Sequence, residues 1–190
     1  MPNTLLDLIT SRRTVYDFEP RAVDPNLIKQ CLTAAIWAPN HGLTQPWRFW
    51  VLGSQTQAQF AQIHGQLRAE KKFSPESEDF HKAYERAKQR IQSIPVIILV
   101  GQKRANNDVI AREDYAACGC AIQNFQLAAW ELGLGCQWSS APAVKHPRMV
   151  EALEIDSTET ELIHAIYCGY PQNIPSPSRL PLEKVCHFTD

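Results

Sequence analysis

The stretch from residue 113 to residue 132 constrains the fold more than any other feature of the sequence. Its apolar and small side chains run nearly all the way round a helix, with Phe125 and Trp130 among them and no continuous polar face. A helix of that kind is buried at the centre of a structure. Because a chain of 190 residues forms one small domain by default, burial on both sides predicts that this helix also lies at the subunit interface of a homodimer.

Shorter helical and strand-like patterns surround that helix. Residues 4–9, 25–38, 57–71 and 146–153 have helical apolar spacing, and residues 47–52, 95–100, 136–138 and 162–168 are typical of strands. Long helices separated by a few short strands predict a single α+β domain over residues 1–190. The expected arrangement is a three-layer α/β/α domain with a small central mixed or antiparallel sheet. The proline-rich tail, residues 172–190, has little core of its own, so we expect it to pack on the surface or on a partner subunit.

The charge balance excludes several classes of partner. The formal net charge is -1, and basic residues do not cluster along the sequence beyond pairs, so nothing indicates nucleic acid or an anionic membrane surface. No apolar run reaches the roughly 20 residues of a membrane-spanning helix. The N-terminus lacks the basic-then-apolar layout of a signal peptide. A cytoplasmic location is therefore the expectation.

The cysteine pattern favours reduced, mostly buried thiols over a metal site. There are six cysteines and no Cys-x-x-Cys spacing, and most of the six lie within apolar runs. Cys118-Gly119-Cys120 is the one close pair, whereas a structural zinc site takes four ligands, usually from paired motifs. We expect no metal.

A rigid loop joins one helix to one strand at Ala38-Pro39-Asn40-His41-Gly42-Leu43-Thr44-Gln45-Pro46-Trp47. Its two prolines bias the residues before them away from helical backbone, and an aromatic strand follows. A bend so rich in hydrogen-bonding groups suits a flat ligand. A plain helix-to-strand connection is the alternative, and the loop by itself favours that one.

Several residues have two interpretations each. Arg12 and Arg13 fit a phosphate clamp, because arginine presents a planar fork of donors, or a helix end where cations complement the dipole. Trp37 is either a ligand contact or an anchor in the core or an interface. His41 is either a donor to a ligand or a side chain that satisfies its own loop. Residues 74–90 form either a lid over a site or a solvated charged helix.

Four blocks, in order along the whole chain, resemble the FMN-dependent nitroreductase family, and within it the short-chain, minimal members. They are Ser11-Arg12-Arg13-Thr14, the loop just described, Ala128-Ala129-Trp130-Glu131-Leu132-Gly133-Leu134-Gly135, and Gly169-Tyr170-Pro171 with the later Arg179-Leu180-Pro181-Leu182-Glu183. Two residues depart from the family pattern: Tyr16 stands where many members have a second Arg, and Leu43 stands where the long-chain members have an Asn. The ordered set of blocks is more specific than any one of them.

The resemblance implies a homodimer with two FMN sites at its interface. It assigns the FMN phosphate and ribityl chain to Arg12, Arg13 and Thr14, with Arg179 as a second phosphate contact. It places Trp37 and His41 along the flavin, from the same or the other subunit. It also places Trp138, Ser139 and Ser140 against the flavin on the sheet side.

The function implied is an oxidoreductase in which FMN carries the redox chemistry, so no catalytic side chain is assigned. Hydride passes from NADH or NADPH to the flavin and on to a small organic acceptor, such as a nitroaromatic or a quinone, in a ping-pong mechanism. The alternative is a flavin-binding or flavin-degrading protein without nicotinamide turnover. A dinucleotide-binding Rossmann enzyme is a weak third option, because no Gly-x-Gly-x-x-Gly follows a strand.

Overall fold

A computed structural model describes residues 4–176 and 178–189. Its centre is an antiparallel sheet of four strands in the order β1-β2-β4-β3. The strands are β1 (Trp47–Val51), β2 (Val96–Lys103), β3 (Gly135–Ser139) and β4 (Thr160–Gly169). The sequence left open whether the sheet was mixed or antiparallel, and every pairing of these four strands is antiparallel.

Helices cover both faces of that sheet. They are α1 (Leu5–Ser11), α2 (Pro25–Ala35), α3 (Ser54–Glu70), α4 (Glu78–Gln92), α5 (Asp108–Glu131) and α6 (Pro147–Ala152). Asp24 caps α2 by accepting the Asn26 amide at 2.8 Å, with Pro25 at the first helical position, as its sequence predicts. None of the helices among the described residues combines the length and the apolar content needed to span a membrane.

Alternating side chains of the strands build two separate cores. One core lies under α2 and α5 and takes Trp47, Ile98 and Ile166 from the sheet. The other lies under α3 and α6 and takes Leu99 and Tyr167. Successive side chains of a strand point to opposite faces, so one short sheet supports both layers. The predicted three-layer α/β/α arrangement is confirmed.

The long apolar helix α5 starts earlier than its sequence predicts. Its first residue is Asp108, because Asn107 accepts the Ile110 amide at 2.9 Å as an N-cap. Ala117 and Ala121, only 4% and 0% exposed, are buried in the core of this same chain. Burial against α2 and the sheet therefore accounts for one side of the helix without a partner. On its other side Val109, Ala116 and Cys120 are exposed.

The loop before β1 is tied to α5. The Thr44 hydroxyl donates to the buried Asp114 carboxylate at 2.6 Å, and Asn40 Oδ1 accepts the Gln45 amide at 2.9 Å. Gly42, Leu43 and Gln45 all have positive φ, at 58°, 53° and 44°, a conformation that costs energy for residues other than glycine. The loop is thus held in a specific strained shape, which a plain connection does not need.

Candidate functional site

A cleft lies between the edge strand β3 and the hairpin of α3 and α4. Its inner part is a cavity of about 340 Å³ that includes residues 138–140 and Tyr167 in its lining. Its outer part is a larger cavity of about 1170 Å³ bounded by Tyr16, Asp17 and the two helices. His64, Arg68, Arg90 and Gln137 line both cavities, so the two adjoin, and we call them together the β3 cleft.

Close helix packing sets the far side of the β3 cleft. Gly65 of α3 lies directly against Tyr84 of α4, where an added Cβ would be 2.9 Å from the Tyr84 carbonyl oxygen. The Gln57 side chain then donates to the carbonyl oxygens of Ile91 and Ile94, at 3.1 and 2.8 Å, and holds the end of α4. These contacts fix α4 beside α3, so residues 74–90 are part of a packed hairpin that walls a site.

The segment after α1 runs beside β3. The Val15 amide donates to the Cys136 carbonyl at 3.0 Å, and Thr14 pairs with Cys136 in parallel orientation. Tyr16 and Asp17 follow along the same edge and line the cleft. The first predicted block therefore lies beside the start of β3, and the predicted residues 138–140 lie at the other end of that strand.

Arg12, Arg13 and Arg179 form what we call the arginine cluster. The pKa of Arg12 is lowered, first by burial and then by the positive charges of Arg179 and Arg13. Its Nε atom is buried and has no hydrogen-bond partner in the part of the chain that the structure describes. A buried guanidinium donor without an acceptor is costly, so this cluster has the donors and the charge to hold an anion such as a phosphate.

A second cationic group, which we call the cationic wall, lines the β3 cleft from the helices. Its members are Arg68, Lys71, Lys72, Lys82, Arg86 and Arg90. The pKa of His64, at the foot of the wall, is lowered to about 4 by burial and by the charges of Arg68 and Arg90. Burial raises the pKa of the Tyr167 hydroxyl, and the neighbouring Ser139 side chain opposes that shift. The cleft is thus strongly positive at neutral pH.

Trp138 and Ser139 leave opposite sides of β3. The Trp138 ring packs edge-on against His164, with centroids 5.1 Å apart, and is near Gly119 of α5. The Tyr115 hydroxyl bonds His164 Nε2 at 2.8 Å on the same side. Trp138 is 39% exposed and belongs to the rim of the cleft. Ser139 and Ser140 line the cavity itself.

Of the nine predicted site residues, Trp138, Ser139 and Ser140 line the β3 cleft, and the other six line neither of its cavities. Trp37 follows α2 and is 81% exposed, and His41 lies in the 3-10 turn His41–Leu43. Neither lines either cavity. Among the described residues, the His41 side chain makes no hydrogen bond, so the structure gives no support to a role in satisfying its own loop. Both side chains are available to a second molecule.

Sequence reasoning missed the cationic wall. It found no clusters of basic residues beyond pairs, and along the sequence these residues do occur at most in pairs. Positions 82, 86 and 90 on α4 nevertheless have the four-residue spacing that places side chains on one helical face. Arg68 is in the last turn of α3, and Lys71 and Lys72 follow in the turn directly after that helix. That spacing was the available signal, and only the pairing of α3 with α4 makes the two faces one surface.

Comparison with known proteins agrees with the fold. Residues 9–170 match the model of the nitroreductase family. A protein of Bacillus subtilis named "Putative NAD(P)H nitroreductase YfhC" is 31% identical over 91% of this chain and 87% of its own length. The solved structure of a nitroreductase-like family protein from Bacillus cereus superposes with a TM-score of 0.83 and 27% identity, covering 100% of this chain and 98% of its own.

A second solved structure carries a cofactor. It is described as a "putative nitroreductase in complex with fmn" from Desulfovibrio desulfuricans, and it matches with a TM-score of 0.75 and 27% identity over 100% of this chain and 99% of its own. The family match covers most of the sequence, including the loop before β1 and the edge of β3. The chain belongs to the nitroreductase family.

Proposed function

We propose that the protein is an FMN-dependent oxidoreductase that passes hydride from NADH or NADPH to a small organic acceptor. The observation that carries this proposal is the arginine cluster beside the β3 cleft. A buried Arg12 Nε without an acceptor, next to two further arginines, matches a phosphate dianion. A cleft wide enough for a planar ring system begins a few residues along the same edge.

The residues present fit FMN in particular. Its single terminal phosphate needs one cationic cluster, and its ring system needs a flat polar-edged space. A relative that covers the whole length of this chain is described with FMN bound. When bound, FMN supplies the redox chemistry, taking hydride from the nicotinamide and giving it to the acceptor.

The side chains of this protein have positioning and electrostatic roles. Arg12, Arg13 and Arg179 hold the phosphate, and Thr14 holds the neighbouring chain atoms. Ser139 and Ser140 lie against the ring system on the sheet side, and Trp138 closes the rim. The positive charge of Arg68 and Arg90 at the foot of the cleft favours negative charge developing beside it. His41 adds a ring N–H donor if it reaches the site from a second subunit.

We propose that the active form is a homodimer. Exposed apolar side chains occur on α1, on the outer side of α5 and along the tail, where Phe188 is 92% exposed. Leu180, Leu182 and Val185 of the tail are exposed as well, so the tail has apolar surface to bury on a partner. Trp37 and His41 line neither cavity of their own chain, and such a dimer brings them to the flavin of the other chain.

The dimer is tested on the exposed side of α5. Charge at Ala117 or Ala121 would disrupt the core of a single chain, because both are buried there. Ala116→Glu places the charge on the exposed side instead. We expect it to abolish the dimer in light scattering with helical content retained, and to lower flavin occupancy. A wild-type protein that is monomeric and yellow would contradict the dimer.

The chemistry is tested by anaerobic mixing of the purified protein with NADPH or NADH. Yellow protein whose released flavin is FMN should bleach on mixing and recover colour with a nitroaromatic or a quinone. Because donor and acceptor share one open cleft, we expect parallel double-reciprocal plots, and intersecting lines would refute the ping-pong mechanism. FAD or no flavin after reconstitution would refute the proposal. If neither NADH nor NADPH reduces the bound flavin, the result would favour the alternative of a flavin-binding or flavin-degrading protein.

His41→Ala tests the contribution of the loop before β1. The His41 side chain is exposed and makes no hydrogen bond among the described residues, so the fold should survive. We expect lower flavin occupancy or slower bleaching. Thr33→Ala, at another exposed site in the same layer, is the control. Normal flavin content and kinetics in His41→Ala would remove that residue from the site.

A further inference from the structure

The phosphate contacts proposed above use the arginine cluster and do not involve the cationic wall. Lys82 pairs with Glu78 at 2.6 Å. The other five wall cations have no carboxylate within salt-bridge distance in the described part of the chain, and Asp17 and Asp79 are the carboxylates in the lining. Five such charges on one concave surface form a site for an extended anion.

The wall is ordered along the cleft. Arg68 and Arg90 line both cavities and so lie nearest to residues 138–140. Lys71, Lys72, Lys82 and Arg86 line only the outer cavity. An anion with its reactive end at β3 and phosphates spaced along its length would meet the inner arginines first and the outer cations last.

We propose that the outer wall binds the adenosine 2′-phosphate of NADPH and thereby makes NADPH the preferred donor over NADH. This inference rests on the proposed function, since it assumes that the nicotinamide end enters the β3 cleft. NADH and NADPH share the two linking phosphates, which suit the inner Arg68 and Arg90. Only NADPH carries a further dianion at its outer end, where Lys71, Lys72 and Arg86 have no partner among the described residues. Charge complementarity at that point favours NADPH.

The test uses binding to the flavin-loaded protein, so that it does not depend on turnover. The probes are adenosine 2′,5′-bisphosphate and AMP, which differ by the 2′-phosphate, measured by calorimetry at low salt. We expect the bisphosphate to bind at least about five-fold more tightly and to compete with NADP⁺. Equal affinity of the two probes would overturn the inference.

A double variant locates the site. Lys72→Gln with Arg86→Gln should weaken binding of the bisphosphate by about five-fold or more and leave AMP binding nearly unchanged. Lys103→Gln with Arg148→Gln removes the same charge from exposed positions outside the cleft lining and should change neither. Equal losses in both double variants would overturn the inference, because a general charge effect would then explain them.

The flavin content of each variant separates two remaining explanations. If the wall variant loses FMN, the wall holds the flavin phosphate and the inference is wrong, although the flavin itself is supported. If the bisphosphate binds at the wall as expected but NADPH does not bleach the flavin, the phosphate site stands and the proposed turnover fails.

Discussion

The arginine cluster and the cationic wall carry the same sign of charge but differ in burial. Arg12 is half-buried, its Nε has no partner among the described residues, and its pKa is lowered by burial. The six wall cations are all exposed, on α3, on the turn that follows it and on α4. A buried donor gains much from one well-placed acceptor, whereas exposed charges attract anions at longer range and are screened by salt. We infer that the cluster fixes a cofactor and that the wall attracts a substrate.

The largest effect should come from removing the buried member of the cluster. Arg12→Ala is expected to weaken FMN binding by about 100-fold, because a charge-assisted hydrogen bond is worth about 1.5–3 kcal/mol and the Arg12 Nε atom is buried without a partner among the described residues. Titration of the apoprotein with FMN, followed by quenching of flavin fluorescence, measures it. Arg148→Gln, on the exposed surface of α6, is the control. Unchanged FMN affinity in Arg12→Ala would remove the cluster from the site.

A smaller effect is expected at the exposed member of the same cluster. Arg179→Ala should weaken FMN binding without unfolding the protein, within a range of roughly 10- to 150-fold. The lower end is expected, because Arg179 is exposed and its side chain bonds only the neighbouring Ser178 carbonyl, at 3.4 Å, within the described part of the chain. The same titration measures it. An effect larger than that of Arg12→Ala would contradict the ranking by burial.

Salt should separate the two regions directly. Raising ionic strength from about 0.01 M to about 0.15 M shortens the screening length from about 30 to about 8 Å. We expect the dissociation constant for NADP⁺ to rise several-fold over that range, since the wall is exposed. FMN occupancy should stay constant over the same range. Equal salt sensitivity of the two ligands would mean that cluster and wall act as one site.

The smallest effect is a change in the protonation of His64. Its pKa of about 4 is below the ordinary value of 6.5 because of burial, Arg68 and Arg90. Between pH 4 and pH 6.5 the unfolded chain therefore binds more protons at His64 than the folded chain does. The contribution of His64 to the free energy of unfolding is fully present above pH 6.5 and is lost as the pH falls toward 4. An anion on the wall offsets the two arginines, so adenosine 2′,5′-bisphosphate should raise the pKa of His64 in an NMR titration. No shift would place the anion elsewhere.

Much of the fold could be predicted because local signals agreed with the tertiary structure. Asp24 and Pro25 start α2, the apolar run in β2 is a buried strand, and the sheet separates two helical layers. Helix α5 shows where the agreement ended. Its sequence indicated burial on both sides, but the structure assigns one side, with Ala117 and Ala121, to the core of the same chain. Apolar periodicity shows that a face is buried and does not show what covers it.

The candidate site divides in the same way. The sequence by itself predicted Arg12, Arg13, Arg179 and residues 138–140 as site residues, through motifs that resemble the family. The tertiary structure brought Arg179 close to Arg12, although the two are far apart in the chain. Only the tertiary structure decided that α3 and α4 turn their basic faces into one cleft, 68–72 meeting 82–90 across Gly65 and Tyr84. Electrostatic potential depends on distances in space. Charges that are solvated pairs along the chain become a binding surface only when packing brings their helices together.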